Sequence, residues 1–460
     1  MQRVAIYVGS FDPPGMHHRQ VAGLLGERYD QVVVVPCGVR SPNHFTADSR
    51  PVHRAAMADL AFSDLPRTWV DLDDLEQQRP TSNAEFEERH RPPHGGMVSH
   101  VVEAEEARID PKLDRKSRIQ VYWKHGGELW AQAHFTVLVE PHEPVNPAEL
   151  PPHHELLRVP PHLRSTDVRS RIFHDESIEG LVPPRVAAYI RRHGLFQGVP
   201  PPTELRVSVP APRFRFFADE WNEESDELQR QLAAYAYDDS ELIVPIGGDG
   251  TMLRAIRQHW RDRLPFYGLN TGHLGFLMND KGRLDFWNEE LVLYQLPLLW
   301  LEAEDLDGHH KTSLAFNDTW VERATGQTAW LEVRVNGDVR LPKLVSDGML
   351  ISTAAGSTAY ARAMGAAPVP FNTEVLIMAG SNVLMPDHWR PAVLPIDSVV
   401  ELTTLDPKKR PLQCYIDGLS QGQVRALKVR VSNIAAVELA FTRSHDPVAK
   451  LFRIQFPQPA

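Results

Sequence analysis

Near the start of the chain, apolar residues come in unbroken runs, Val4 to Val8 and then Val32 to Val35, the second ending at Pro36. Neither run alternates with polar positions, and a helical stretch separates them. Continuous Val-rich runs of this kind predict strands of a parallel sheet covered on both faces. A helical stretch over Pro184 to His193 leads to Gly198-Val199-Pro200-Pro201-Pro202-Thr203. Consecutive prolines hold an extended backbone and cannot continue a helix, so this segment reads as a linker. Beyond it the run Leu242 to Ile246 enters a glycine cluster and a helix expected over Thr251 to Trp260. From about Leu291 to Val437, short β-branched or apolar runs separated by turns predict a mostly β part. The pairs Pro92-Pro93, Pro151-Pro152 and Pro160-Pro161 read as surface loops. The segment from Pro80 to Lys124 is unusually charged for a sheet core. The expected organisation is a first domain over 1–198, a linker over 199–204, an α/β subdomain over 205–290 and a β-rich subdomain over 291–460.

Composition narrows the function classes. The 460 residues suggest about three folding units. Hydrophobic residues are 42% and charged residues 24%, the balance of a chain that buries ordinary cores. With 49 Lys and Arg against 60 Asp and Glu, the formal charge is −11. That disfavours nucleic acid and anionic membrane as partners, since both need a basic surface. No run approaches the ~18 apolar residues of a membrane span. The opening MQRVAIYVGSFD reads straight into a strand, without the pattern of a signal peptide. Cys37 and Cys414 lie far apart and suggest a reducing compartment. A cytoplasmic location is expected.

The loop Val8-Gly9-Ser10-Phe11-Asp12-Pro13-Pro14-Gly15-Met16-His17-His18 sits between the first strand and a predicted helix. There an open α/β sheet presents backbone N–H groups and a helix N-terminus to phosphate, with Gly9 and Ser10 as candidates. A histidine at the helix start, His18, could donate to a phosphate as charge builds up. A second element is Leu163-Arg164-Ser165-Thr166-Asp167-Val168-Arg169. Ser165 and Thr166 are placed to cap a helix or bind phosphate, and Arg169 one turn on could reach the same anion. The neighbouring pairs His17-His18 and His153-His154 lack the i, i+4 spacing of two ligands on one helix face, so no His-ligated metal site is expected.

Together these elements resemble the nicotinate-mononucleotide adenylyltransferase family, whose pattern is GxFDPxHxGH near the N-terminus and SSTxxR near the end of the domain. The tail from Gly180-Leu181-Val182-Pro183-Pro184 through Tyr189 to Gly194-Leu195-Phe196 is similar as well, so the likeness spans residues 1 to about 197. It implies a Rossmann-like nucleotidyltransferase domain acting on nicotinate or nicotinamide mononucleotide. The departures are Gly15 where the family has its first His, Glu103-Ala104-Glu105 where it has Gly-Ala-Asp, and Glu140 where it has the Arg of Arg-Pro-Gly. An altered site follows, one that binds an adenine nucleotide and adenylates slowly or not at all.

In the second half, Gly247-Gly248-Asp249-Gly250-Thr251 follows a buried strand and opens a helix. Glycines let backbone approach polyphosphate closely, and the helix N-terminus favours the anion. Asp249 is the only carboxylate in that turn. Beside phosphate its charge is costly unless it holds a metal or accepts a substrate hydroxyl proton. Three further segments follow: Gly268-Leu269-Asn270-Thr271-Gly272-His273-Leu274-Gly275-Phe276-Leu277, Asn317-Asp318, and Ser346-Asp347-Gly348 running on to Gly356-Ser357-Thr358-Ala359-Tyr360. In order, these resemble the four signature blocks of NAD kinase, from about residue 205 to the C-terminus.

That resemblance implies roles by position. Asp249 would activate the adenosine-ribose 2′-hydroxyl as general base, with Gly247, Gly248, Gly250 and Thr251 cradling the transferred phosphates. Asn317 and Asp318 match an Asn-Glu pair that binds the dinucleotide, the Asp one methylene shorter. Thr358, Ala359 and Tyr360 match the segment lining adenine and ribose. Asp347 matches an acidic residue that contacts the nicotinamide end from a neighbouring subunit, which implies a homo-oligomer. Ser346, Ala363 and Ala366-Ala367 depart from the family's usual residues in the supporting turns. Mg²⁺ or another divalent cation is implied, with ATP or polyphosphate as donor. Phosphoryl transfer needs positioning and charge neutralisation more than covalent help, so these parts suffice.

The expected protein is therefore an NAD kinase preceded by an adenylyltransferase-like domain. The alternatives are a fully bifunctional enzyme and a catalytically silent NAD(P)-binding regulator. A lipid kinase is disfavoured by the second block and by the lack of a basic amphipathic stretch.

Overall fold

Val32 to Val35 are fully buried and Val4 to Ile6 at most 1% exposed. They are neighbouring strands covered on both faces, which is why neither run alternates. The computed structural model describes residues 2–38, 49–77, 81–93, 95–161, 163–272, 274–280, 284–445, 450–452 and 455–456. The chain divides into two compact units, Met1–Thr203 and Glu204–Ala460.

The first unit holds strands β1 (Gln2–Gly9), β2 (Gln31–Pro36), β3 (Thr68–Val70), β4 (Gly96–Glu103), β5 (His134–Val139) and β6 (His154–Arg158). Its helices are α1 (Met16–Arg28), α2 (Pro51–Phe62), α3 (Asp73–Gln77), α4 (Asn83–His90), α5 (Ala104–Ala107), α6 (Arg118–Tyr122), α7 (Gly126–Gln132), α8 (Ser165–Phe173) and α9 (Pro184–His193). The strands form one sheet in the order β3-β2-β1-β4-β5-β6, every neighbouring pair parallel. The order reverses between β1 and β4, and such a switch point opens a crevice at the carboxyl ends of the strands. The charged stretch from Pro80 to Lys124 contains a core strand after all. The apolar run inside β4 is buried, while the charges lie on the helices and turns that flank it.

The second unit begins with β7 (Leu205–Val207), β8 (Phe214–Ala218), α10 (Glu223–Gln231), β9 (Leu242–Gly247), α11 (Asp249–His259) and β10 (Leu269–Asn270). β8, β9 and β10 are a parallel trio with β9 in the middle. Helix α11 starts at Asp249, two residues before the expected Thr251. Gly248 is its extended cap residue, and Asp249 stands in the first turn, where a carboxylate complements the helix dipole. Its end moves too: Trp260 belongs to a following 3-10 turn.

Next come β11 (Leu291–Asp305), β12 (His310–Ala315), β13 (Asp318–Arg323), β14 (Ala329–Val335), β15 (Asp338–Ser346), β16 (Gly348–Thr353), α12 (Tyr360–Ala363), β17 (Val375–Ser381), β18 (Ala392–Pro395), β19 (Val400–Thr404), β20 (Leu412–Ile416) and β21 (Leu419–Phe441). These strands and β7 form a 12-stranded sheet around the path β15-β14-β19-β21-β20-β13-β16-β17-β18. β14 alternates buried and half-buried positions, as a strand with one covered face should. β16 is buried throughout, because it is covered twice. Met349 and Ile351 join the main β core, while Leu350 packs with Ala361, Ala366, Ile377 and Ala379 under α12. At its far end β21 reaches the parallel trio: Phe266 bridges Ile243 on β9 and Leu439 on β21.

Candidate active site

The glycine cluster stands at the carboxyl end of β9. A Cβ on Gly247 would lie 2.4 Å from the Thr251 hydroxyl oxygen and 3.2 Å from the Cβ of Asp219, so only glycine lets the turn close. Gly248 and Gly250 have open space beside them and keep their backbone accessible. Thr251 donates its hydroxyl to Asp219 at 3.3 Å, and Arg254, one turn into α11, pairs with Asp219 at 3.4 Å. The Asp249 carboxylate turns toward the segment after β10. Its two oxygens accept the backbone N–H groups of Phe276 and Leu277, each at 2.9 Å. Burial raises the proton affinity of Asp249 above the ordinary carboxylate range, against those two bonds and the Lys450 charge, which lower it. The segment is closed at its base, where Asn270 N–H meets the Asn279 carbonyl at 3.1 Å and Asn279 N–H meets the Gly268 carbonyl at 2.9 Å. His273 lies outside the described residues.

A second cluster forms where β13 and β16 meet. Asp417 sits with Gly418 in the two-residue turn between β20 and β21, both at positive φ, as an Asp-Gly hairpin turn requires. Its carboxylate accepts the backbone N–H groups of Phe316, Asn317 and Asp318 at 2.9, 2.8 and 3.2 Å. Behind the same segment, Ser352 and Thr353 donate their hydroxyls to the Asn317 carbonyl. A Cβ on Gly356 would lie 2.5 Å from that carbonyl oxygen and from the Ser352 hydroxyl, so close packing demands glycine here. The buried Oδ1 of Asn317 has no hydrogen-bond partner among the described residues. Asp318 is buried beside Asp417, and burial plus that repulsion pushes its pKa up to about 7. Asp417 is raised as well by burial, against its three backbone bonds and the Arg257 charge on α11, so this cluster lies within electrostatic reach of the glycine-cluster helix.

The aromatic rings continue the face. Trp320 stacks on Tyr415 with centroids 4.8 Å apart, and Tyr360 meets Trp320 edge-on at 5.0 Å. Partial burial and the charges of Glu322, Asp318 and Asp347 raise the Tyr360 hydroxyl pKa, which sets those carboxylates around it. Asp347 is held by Arg323 at 2.6 Å and Asn382 at 2.7 Å. Thr358 ends a 3-10 turn and Ala359 joins it to α12, with Tyr360 as that helix's first residue.

The second unit thus carries a glycine turn with one anchored carboxylate, a buried amide and an aromatic wall. The family model of the ATP-NAD kinase N-terminal domain matches residues 183–281. The NAD kinases of Rickettsia bellii and Zymomonas mobilis are each 31% identical to this chain, over 246 and 237 residues. Those alignments cover 52% and 50% of this chain but 95% and 92% of the relatives. The chain belongs to the NAD kinase family. Its relatives and the family model make it an NAD kinase phosphotransferase. Yeast NADH kinase complexed with NADH superposes with a TM-score of 0.46 at 16% identity, covering 56% of this chain and 95% of that one, too loosely to carry an argument.

Within the NAD kinase unit, Asp249 is brought to the second block, and Asn317 and Asp318 to the turn before Thr358. Two residues that local sequence patterns miss do much of the holding: Asp417, visible only as an Asp-Gly turn signal, and Lys450, which has no local signal.

The first unit makes its own convergence. Ser165 donates its hydroxyl to the Pro13 carbonyl at 2.9 Å, and Arg169 donates to the Asp12 carbonyl at 2.7 Å. Arg164 is the cap residue of α8, and Asp167 accepts its N–H at 2.9 Å. Ser165 and Thr166 are therefore not caps: they stand inside the first turn, and the Ser165 hydroxyl is engaged by the loop. The Gly15 N–H donates to His18 Nδ1 at 2.9 Å, which leaves the ring's proton on Nε2. Gly9 ends β1 and Ser10 follows it, and buried Arg54 holds the Ser10 carbonyl at 2.7 Å. Glu103, at the carboxyl end of β4, is pushed up to about 7 by burial and by Glu106, with Arg164 opposing. At Glu140, Arg158 from β6 reaches in and donates to the carbonyls of Glu140 and Pro141 at 3.0 and 2.8 Å.

Gly356→Ala should force the Asn317 carbonyl aside. At an overpacking cost of about 1–3 kcal/mol, the melting midpoint should fall by about 2–12 °C, measured by thermal unfolding.

The raised Asp318 pKa gives a signed stability effect. A carboxyl group whose folded pKa exceeds its unfolded value stabilises at low pH, and that contribution is lost as pH rises through about 7. Asp318→Asn should therefore gain thermal stability over wild type as pH rises from about 4 to about 7, read as a difference in melting midpoint that widens over that range and levels off above it.

Proposed function

We propose that the second unit phosphorylates the adenosine-ribose 2′-hydroxyl of NAD to give NADP, with ATP as donor and Asp249 as general base. The observation that carries this reading is the pair of backbone N–H groups that hold the Asp249 carboxylate at the mouth of the glycine turn. Each oxygen gives up one lone pair to that bond and keeps another for a substrate hydroxyl. Burial makes the group more basic than a surface carboxylate, as a proton acceptor needs. Asp249 takes the 2′-hydroxyl proton as the oxygen bonds to the γ-phosphorus, and the bond to the β,γ-bridging oxygen breaks to release ADP. The divalent cation, Mg²⁺ in this reading, arrives with the ATP phosphates as part of the donor. Asp219, partly exposed beside the turn, is a carboxylate near enough to assist it, although Arg254 already pairs with it.

The unpartnered Oδ1 of Asn317 suits a ligand hydroxyl or amine, and Thr358, Ala359 and Tyr360 suit the adenine and ribose. Asp347, on the same face, is the residue through which a neighbouring subunit would complete the nicotinamide end, so a homo-oligomer belongs to this reading. The domain scheme that goes with it is 1–198, 199–204, 205–290 and 291–460. Asp249→Asn should retain NAD binding and lose ~10²–10⁴ in turnover. Near wild-type turnover in the purified variant would remove the assignment.

The first unit is read as an adenylyltransferase-like domain that binds an adenine nucleotide, possessing His18, Ser165, Thr166 and Arg169 around the loop after β1. The convergence of α8 on that loop favours the reading. Gly15 takes away one donor, and losing one preorganised donor costs on the order of 10²–10³ in rate. With the kinase silenced by Asp249→Asn, the full chain given nicotinate mononucleotide and MgATP should form dinucleotide far below ~1 s⁻¹. Formation at or above that rate, abolished by His18→Ala, would make the protein fully bifunctional.

A further inference from the structure

Lys450 is only 2% exposed. A buried ammonium is costly unless each of its protons is taken up. Its three N–H donors have three acceptors, the carbonyls of Gly275 and Met278 at 2.8 and 2.7 Å and the Asp280 carboxylate at 2.8 Å. All three acceptors belong to one short stretch of chain, residues 275–280. Between the two carbonyls stand Phe276 and Leu277, whose N–H groups hold the two oxygens of Asp249. The loop is thus gripped from opposite sides, by a lysine on its carbonyls and by a carboxylate on its amides. Asn279, buried at 2%, ties the same loop to β21 through its bond to the Ala440 carbonyl at 3.0 Å, but holds no atom between 275 and 278.

We propose that Lys450, from the C-terminal segment, is a positioning residue for phosphoryl transfer that fixes the peptide groups aiming the Asp249 carboxylate. The inference rests on Asp249 as the base. Without the ammonium, the Gly275 and Met278 carbonyls would turn to other donors, and the Phe276 and Leu277 N–H groups would turn with their peptide planes. The dinucleotide would still meet Asn317, Asp318 and Tyr360, none of which touches this loop in any bond described above. The loss should therefore fall on turnover rather than on binding. The charge acts in the same place: three influences face Asp249, burial raising its proton affinity and the two N–H groups and the Lys450 charge lowering it.

In the full chain, Lys450→Met should lower kcat on the order of 10²-fold, the scale of a misplaced reacting group, with NAD affinity changed by less than about threefold. The acid limb of its kcat–pH profile should move to higher pH, and Lys450→Arg should recover part of the rate. An unchanged kcat, or a loss of NAD affinity as large as the loss of kcat, overturns the proposal and leaves Lys450 an anchor for the tail. Should Lys450→Met fail to fold by circular dichroism, Asp280→Asn, at a half-exposed side chain, removes one acceptor of the ammonium. It should show the same split at smaller size, and an unaltered kcat there overturns the proposal equally. Asp249→Asn in the same assay separates the two readings: if active, the base assignment fails; if inactive while Lys450→Met is unaffected, only this inference fails.

Discussion

The Asp249 carboxylate sits in the first turn of a helix, beside a glycine turn, and two backbone N–H groups fix its direction. A carboxylate at that point repels the donor it serves unless its charge is partly neutralised. Arginine or lysine in direct contact would neutralise it at the cost of its basicity. Peptide N–H groups supply smaller dipoles with fixed direction, so the group keeps a proton affinity above the ordinary range. The demand then passes to the backbone. Phe276 and Leu277 can hold the carboxylate only if residues 274–280 keep one conformation, which explains the bonds between Asn270, Asn279 and Gly268 at the loop's base.

The same device recurs at Asp417. A side chain from the β20–β21 turn draws together three successive N–H groups about a hundred residues earlier in the chain. It fixes Asn317, whose buried amide oxygen has no hydrogen-bond partner among the described residues. The consequence is electrostatic. Asp318 follows in the chain and must share the buried space with Asp417, so its proton affinity climbs. An Asp-Gly turn is well suited to the purpose, since its left-handed backbone turns the carboxylate back toward neighbouring strands at little strain.

Much of the frame was legible in the residues because it depends on local pattern. Unbroken valine runs mark doubly covered strands, and a glycine cluster after such a run marks a turn into a helix. The helix start escaped by two residues because Gly248 reads as part of the turn although it is the cap. β4 was obscured because charge in its flanks outweighs the short apolar run between Val98 and Val102. Asp417 and Lys450 are a different case. Their partners lie about 100 and more than 170 residues away, and neither belongs to a periodic pattern. Contacts of that range follow from how sheets stack, which local spacing does not encode.

The two units differ in what surrounds their carboxylates, and this difference bears on their chemistry. In the second unit Asp249 and Asp417 are each bound by backbone N–H groups, so fixed dipoles offset their charge. In the first, burial and then the charges of Glu106, Glu105 and Glu143 push Glu103, at the carboxyl end of β4, up to about 7, with the Arg164 charge opposing them. Arg164 is itself within 3.8 Å of Glu105, so it is divided among several acids. Arg169 and Ser165 are already engaged by the loop's own carbonyls, and they would have to serve a phosphate in addition to that contact or by breaking it. The first unit thus meets the charge at the end of β4 with burial and one shared arginine, whereas in the second unit Asp249 and Asp417 have fixed backbone dipoles set against theirs.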